Sequence, residues 1–281
     1  VFRYTVAGGD TESADLSVSS YGGTIKDSAG NTAGAASGDL GTVIVDLTAP
    51  TLSSVAAADA TYKVGQNIDI TVTWGEAVTV TGTPTLTLSN GATASYNSGT
   101  GSTALVFRYT VAEGNTDSAD LSVSSYGGTI ADTAGNAAGA ASGDLGSVIV
   151  DANSPTLSSV AAADATYYVG QNIDITVTWN ETVNVTGTPT ITLSNGATAT
   201  YQSGTGSAAL VFRYTVAEGD TNSSDLSVSS YSGTVKDTAG NTAGAVSGDL
   251  GSVIVDANSP TLSSVAATNG TYKVDDNIDI T

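Results

Sequence analysis

Almost every side chain here that could do chemistry is a carboxylate. The 281 residues hold 27 Asp and Glu against 7 Lys and Arg, with no His and no Cys, for a formal charge of −20. Five aspartates recur at one fixed step: Asp15/Asp120/Asp225, Asp27/Asp132/Asp237, Asp39/Asp144/Asp249, Asp46/Asp151/Asp256 and Asp69/Asp174/Asp279, each 105 residues apart (120 − 15 = 105). Glu76 and Glu181 match at the same step. Hard cations such as calcium gather carboxylate and carbonyl oxygens at about 2.3–2.6 Å, so repeated acids point to structural calcium. The candidate ligands are Asp46, Asp151 with Asn153, and Asp256 with Asn258, in the stretches "DLTAP", "DANSP" and "DANSP". Asp132 and Asp237, each opening "DTAGN", complete the set. The first stretch carries Thr48 where the other two carry Asn. A competing reading gives the same aspartates to turn capping through Asx hydrogen bonds. No EF-hand loop pattern is present to decide between them.

Catalysis fits poorly. Without His or Cys, a nucleophile and base would have to be Ser or Thr with Lys or a carboxylate. Lys26 and Lys236 stand where the middle copy has Ala131, and Lys63 and Lys273 where it has Tyr168. A group missing from one copy cannot be the shared purpose of all of them, so the chain reads as non-catalytic. Scarce basic residues also exclude a phosphate backbone as partner and an anionic membrane surface. No apolar run approaches the about 18 residues a spanning helix needs. The opening "VFRYTV" reads as the middle of a strand, so the sequence reads as a window of something longer.

What positions the acids is a repeat. "TLSSVAA" begins at Thr51, Thr156 and Thr261, and "VFRYTVA" at Val1, Val106 and Val211. Thr51–Pro155 and Thr156–Pro260 differ at 16 of 105 positions, without insertion or deletion. A step this long suits one sandwich domain rather than a solenoid coil. The boundaries read as a C-terminal part of a repeat over 1–49, complete repeats over 50–154 and 155–259, and an N-terminal part over 260–281. Within a repeat, "NIDITVTW" alternates Ile68, Ile70, Val72 and Trp74 against Asp69, Thr71 and Thr73, the period of a half-buried strand. "AVTVTG" and "TPTLTLS" read as separate strands, with Pro84 near an edge or a strand start. "NG" at Asn90–Gly91 signals a tight hairpin with both residues at positive φ. "TALVFRYTVA", "DLSVSSY", "GTI" and "GSVIVD" bring the total to seven or eight strands. The expected fold is all-β: tandem immunoglobulin-like β-sandwiches of 105 residues, end to end. Repeating aromatics such as Trp74 and Phe107 are in phase with the apolar faces and read as core. Arg108 points the other way and reads as paired with a carboxylate on the next strand.

The ordered motifs "Y-x-V-G", "G-T-P-T-L-T-L", "F-x-Y-T-V-A" and "D-x-A-G-N-x-A" resemble the SWM-type repeat of giant bacterial surface proteins, related to the immunoglobulin-like repeats of biofilm adhesins. The similarity covers the whole 105-residue unit. It implies an extracellular, non-catalytic stalk or filament segment, whose partners are adjacent repeats or neighbouring copies. A second expectation is a tandem module that binds a carbohydrate or similar ligand and gains avidity from its copies. Outward threonines such as Thr71 and Thr73 are what such a face would use.

Overall fold

Abundant Val, Ile and Thr in short alternating runs favour extended chain. The computed structural model, which describes residues 1–281, contains strands and no helix. In chain order they are β1 (Ser17–Val18), β2 (Gly38–Asp39), β3 (Leu52–Ala56), β4 (Ala60–Lys63), β5 (Asn67–Leu88), β6 (Thr93–Ser98), β7 (Ser102–Thr110), β8 (Ser122–Ala131), β9 (Gly143–Asp144) and β10 (Val148–Asp151). They continue as β11 (Leu157–Ala161), β12 (Ala165–Tyr168), β13 (Asn172–Leu193), β14 (Thr198–Ser203), β15 (Ser207–Thr215), β16 (Ser227–Lys236), β17 (Gly248–Asp249) and β18 (Val253–Asp256). The chain divides into two compact units, Val1–Ala152 and Asn153–Thr281. The first holds a six-stranded sheet ordered β6-β7-β5-β8-β9, with β3 also on β5, and a separate parallel pair of β4 and β10. The second holds the same arrangement, β14-β15-β13-β16-β17 with β11 on β13, beside the parallel pair β12 and β18. Each is an all-β, sandwich-like framework.

One strand organises each sheet. The first half of β5 pairs with β7 (Asn67↔Thr110 to Thr73↔Ala104) and with β3, and its second half pairs with β8 and β6. The sequence reads three strands over this span, whereas the structure has a single strand of 22 residues. Its ladders shift register instead of ending, between Thr73 and Val78 against β7 and between Thr81 and Thr85 against β8. The second shift explains Pro84, which is buried inside β5 rather than placed at a strand start. The ladder skips the residues around Pro84, so its missing N–H is not called on. Opposite it, Gly128 (φ +106°) leaves no room for a side chain, since a Cβ there would lie 2.7 Å from Pro84 Cα. The hairpin at Asn90–Gly91 forms, but only Gly91 has positive φ (81°). The Asn90 side-chain oxygen accepts from Ala92 N (3.1 Å), so an Asx bond replaces the second left-handed residue.

Alternation then builds the core. Ile68, Ile70, Val72 and Trp74 of β5 are buried with Leu105, Phe107 and Tyr109 of β7. Trp74 meets Tyr126, and Tyr96 meets Phe107, edge to face at 5.9 Å between ring centres. The second unit repeats this with Trp179–Tyr231 and Tyr201–Phe212. On the outer face Arg108 forks onto Asp69, Nε to Oδ1 at 2.6 Å and an amino nitrogen to Oδ2 at 2.7 Å. Arg213 and Asp174 do the same at 2.6 and 2.8 Å. The hydrogen bond and charge of Arg108 hold the Asp69 carboxyl below its ordinary pKa, against a smaller opposing effect of burial. That stabilisation is complete above the ordinary carboxylate pKa and is lost as pH falls through the lowered value. Both side chains are over two-fifths exposed, so the pair contributes at most about 1 kcal/mol.

Each unit is expected to stand on its own core. Phe107→Ala should destabilise the first unit by about 3–5 kcal/mol and leave the second unit's transition in place. Phe212→Ala should do the reverse. Differential scanning calorimetry of the two variants checks this, and a joint shift of both transitions would contradict it.

Candidate metal centre

Three carboxylates converge in the first unit: Asp46, Glu76 and Asp132 each offer an oxygen within 4.8 Å of the others. They come from three separate parts of the chain. Asp46 follows the buried Val45 and turns the chain toward Pro50, its Oδ1 accepting from Thr48 N at 3.1 Å. Glu76 lies in β5 inside its first register shift. Asp132 leaves the end of β8 and opens a tight turn. There its Oδ1 accepts from Gly135 N (2.7 Å) and Asn136 N (2.8 Å), and its Oδ2 accepts from Asn136 Nδ2 (2.8 Å).

Asn136 fastens the parts together. Its Nδ2 also donates to the carbonyl oxygens of Asp46 (3.1 Å) and Thr48 (3.4 Å). A fourth acid, Glu12, accepts from Leu47 N (3.3 Å) and from the Thr48 hydroxyl. Thr48, where the other two stretches have Asn, therefore takes part through its backbone and hydroxyl.

The electrostatics follow from this crowding. Burial pushes Glu76 up from its ordinary pKa, and the charges of Asp132, Asp46 and Glu12 push it further. Burial pushes Asp132 up as well. Hydrogen bonds from the Asn136 side chain and from the backbones of Asn136, Gly135 and Ala134 outweigh it, so that carboxyl ends below its ordinary value. The two arginine–aspartate pairs lie on the outer sheet faces and do not neutralise this cluster. Oxygens bound to one calcium ion can stand up to about 5 Å apart, and the observed 4.8 Å limit fits. Asp46, Glu76 and Asp132 are the residues that could hold such an ion, with Glu12 beside them.

Of the sequence candidates, the structure brings Asp46 and Asp132 together. It adds Glu76, which was absent from the sequence set although its match with Glu181 was visible. Capping accounts for part of the repeat: Asp27 and Asp237 hold the same turn as Asp132, bonding Asn31 N (2.9 Å) and Asn241 N (2.8 Å). It does not account for Glu76. Asp237 is buried with Asn241, its Oδ2 accepting from Asn241 Nδ2 at 2.8 Å. Asp151 ends β10 opposite Lys63, and Asn153 lies two residues beyond. Asp256 accepts from Asn222 Nδ2 (3.3 Å), and Asn258 Nδ2 donates to Asn222 Oδ1 (3.0 Å). In sequence, Asp151, Glu181 and Asp237 stand one step of 105 residues after the three converging acids.

The sequence matches no protein-family model and no curated protein.

Because its folded pKa is raised, Glu76 contributes fully to stability below the ordinary carboxylate pKa of about 4.3. That contribution is lost as pH rises through the raised value. In chelator at neutral pH, Glu76→Gln should therefore raise the melting temperature of the first unit by a few degrees. The gain should vanish toward pH 4. A melting series against pH checks this, and an unchanged or lower value at neutral pH would show that the carboxylate is not under strain.

Proposed function

We propose that this chain is a run of structural repeats from a large extracellular bacterial surface protein, built as immunoglobulin-like sandwiches of 105 residues placed end to end. In this reading residues 50–154 and 155–259 are complete repeats, and residues 1–49 and 260–281 are parts of two others. The array is non-catalytic and serves as a stalk or filament segment for adhesion or cell-surface architecture. One observation carries the reading: two separate cores are built from the same positions, Ile68, Ile70, Val72 and Trp74 in one and Ile173, Ile175, Val177 and Trp179 in the other. Modules that each close their own core can be added without limit, and reach then scales with copy number. The strand directions support the same reading. Since β4 and β10 run parallel, the chain enters a repeat at one end and leaves at the other, as an end-to-end array requires. The order of motifs shared with SWM-type repeats supports the family.

Calcium belongs to the reading as a stiffener. An ion among Asp46, Glu76 and Asp132 would tie the stretch before Pro50 to the sheet after it, and would relieve the repulsion that raises Glu76. The net charge of −20 keeps neighbouring arrays apart over roughly a Debye length, about 8 Å at physiological salt.

Two measurements test the proposal. Inserting one further copy of residues 155–259 should lengthen the particle seen by small-angle scattering by one domain length. A particle that thickens without lengthening would sink the stalk reading. Calcium in excess over chelator should raise the melting temperature of the first unit, by about 2.7 kcal/mol of stability at a hundred times Kd. Asp46→Asn and Glu76→Gln should each abolish that gain. Identical curves with calcium and chelator would remove the ion and leave the proline joints alone to set stiffness.

A further inference from the structure

Both terminal segments expose the apolar side chains that the complete sandwiches bury. Phe2, Tyr4, Val18 and Ile25 are 83%, 56%, 38% and 44% exposed, whereas their counterparts Phe107, Tyr109, Val123 and Ile130 are nearly inaccessible. Residues 2–40 line an open cavity of about 830 Å³, walled by Phe2, Val18, Tyr21, Ile25 and Leu40. At the other end Val265, Ile278 and Ile280 are 65%, 52% and 70% exposed, while Ile68 and Ile70, the counterparts of the two isoleucines, are fully buried.

We infer that residues 260–281 of one copy dock onto residues 1–49 of a second copy, in the register that the complete repeats use internally. That register is explicit. Ile68↔Tyr109, Asp69↔Arg108 and Ile70↔Phe107 in β5–β7, repeated as Ile173↔Tyr214, Asp174↔Arg213 and Ile175↔Phe212, become Ile278 on Tyr4, Asp279 on Arg3 and Ile280 on Phe2. Val55 packs so closely over Gly143, and Val160 over Gly248, that a Cβ on either glycine would lie within 2.7 Å of the valine methyl. The counterpart is Val265 over Gly38, with open space above that glycine in the single chain. The parallel pairing of Ala60–Lys63 with Val148–Asp151 becomes 270–273 beside 43–46. Asp59 Oδ1 accepts from Ser147 N at 2.9 Å, and the corresponding acceptor is the side-chain oxygen of Asn269, facing Thr42 N.

Two features keep the association weak. The equivalent of residues 72–105 is supplied by neither partner, so part of the cavity stays open. Both partners also carry the same −20 charge, so contact strengthens as salt screens it. The inference rests on the tandem-repeat reading, which the calorimetry of Phe107→Ala and Phe212→Ala tests separately.

Sedimentation equilibrium of the full 281-residue chain over a concentration series, in about 0.5 M salt, decides it. The average mass should climb above the monomer value with concentration. Val265→Asp and Ile280→Asp, at sites already exposed in the single chain, should each weaken association about tenfold or more. Tyr168→Asp, at an aromatic 55% exposed on a complete repeat, should leave it unchanged. Arg3→Asp should weaken it, and adding Asp279→Arg to the same chain should restore it, which general stickiness would not do. A monomer mass at every concentration would overturn the inference. So would equal effects of all the aspartate substitutions, or a charge swap that fails to restore.

Discussion

The alternation along β5, and along β13 in the second unit, is the constraint on which the rest depends. A strand of 22 residues that holds one face in the core fixes the register of every neighbour, because a slip of one residue would turn Ile68, Ile70, Val72 and Trp74 outward together. Four strands pair with β5: β3 and β7 along its first half, β6 and β8 along its second. Its two register shifts are therefore part of the design. They let one strand serve both halves of the sheet while the ladder skips Pro84, and Gly128 gives the closeness that this packing needs.

The acid cluster is a consequence of the same strand. Glu76 lies in the first register shift, and the end of β8 delivers Asp132 beside it. Asp46 arrives from the preceding segment, held by Asn136, whose single amide group joins two stretches of backbone and one carboxylate. Hydrogen bonds lower Asp132 while crowding raises Glu76, so neighbouring acids are driven in opposite directions by different causes. The arginine–aspartate forks on the outer face are the contrasting case. There each carboxylate has its own cation, solvent shares the load, and little stability depends on the pair.

Much of this was legible in the sequence because it is local. Period-two alternation marked β5 and β7, the Asn90–Gly91 pair marked a hairpin, and the recurrence of Arg108 opposite the Phe107 and Tyr109 face pointed to an outward ion pair. The misreadings have physical reasons. Pro84 and the glycine-containing stretches around it looked like strand breaks because sequence rules assign each residue a full set of ladder bonds, and a register shift removes that demand. Asn90 was expected at positive φ because the turn needs its bonds satisfied, and its own side chain satisfied one.

By itself the sequence determined the all-β character, the repeat of 105 residues, the inward set of the main strand and the absence of His and Cys chemistry. Each of these depends on neighbours along the chain or on composition. Only the tertiary structure decided that three strands are one, that Glu76 belongs with Asp46 and Asp132, and which partner each carboxylate has. Those facts depend on residues 30 to 86 positions apart in the chain (76 − 46 = 30; 132 − 46 = 86), whose meeting is set by sheet pairing and not by any local pattern.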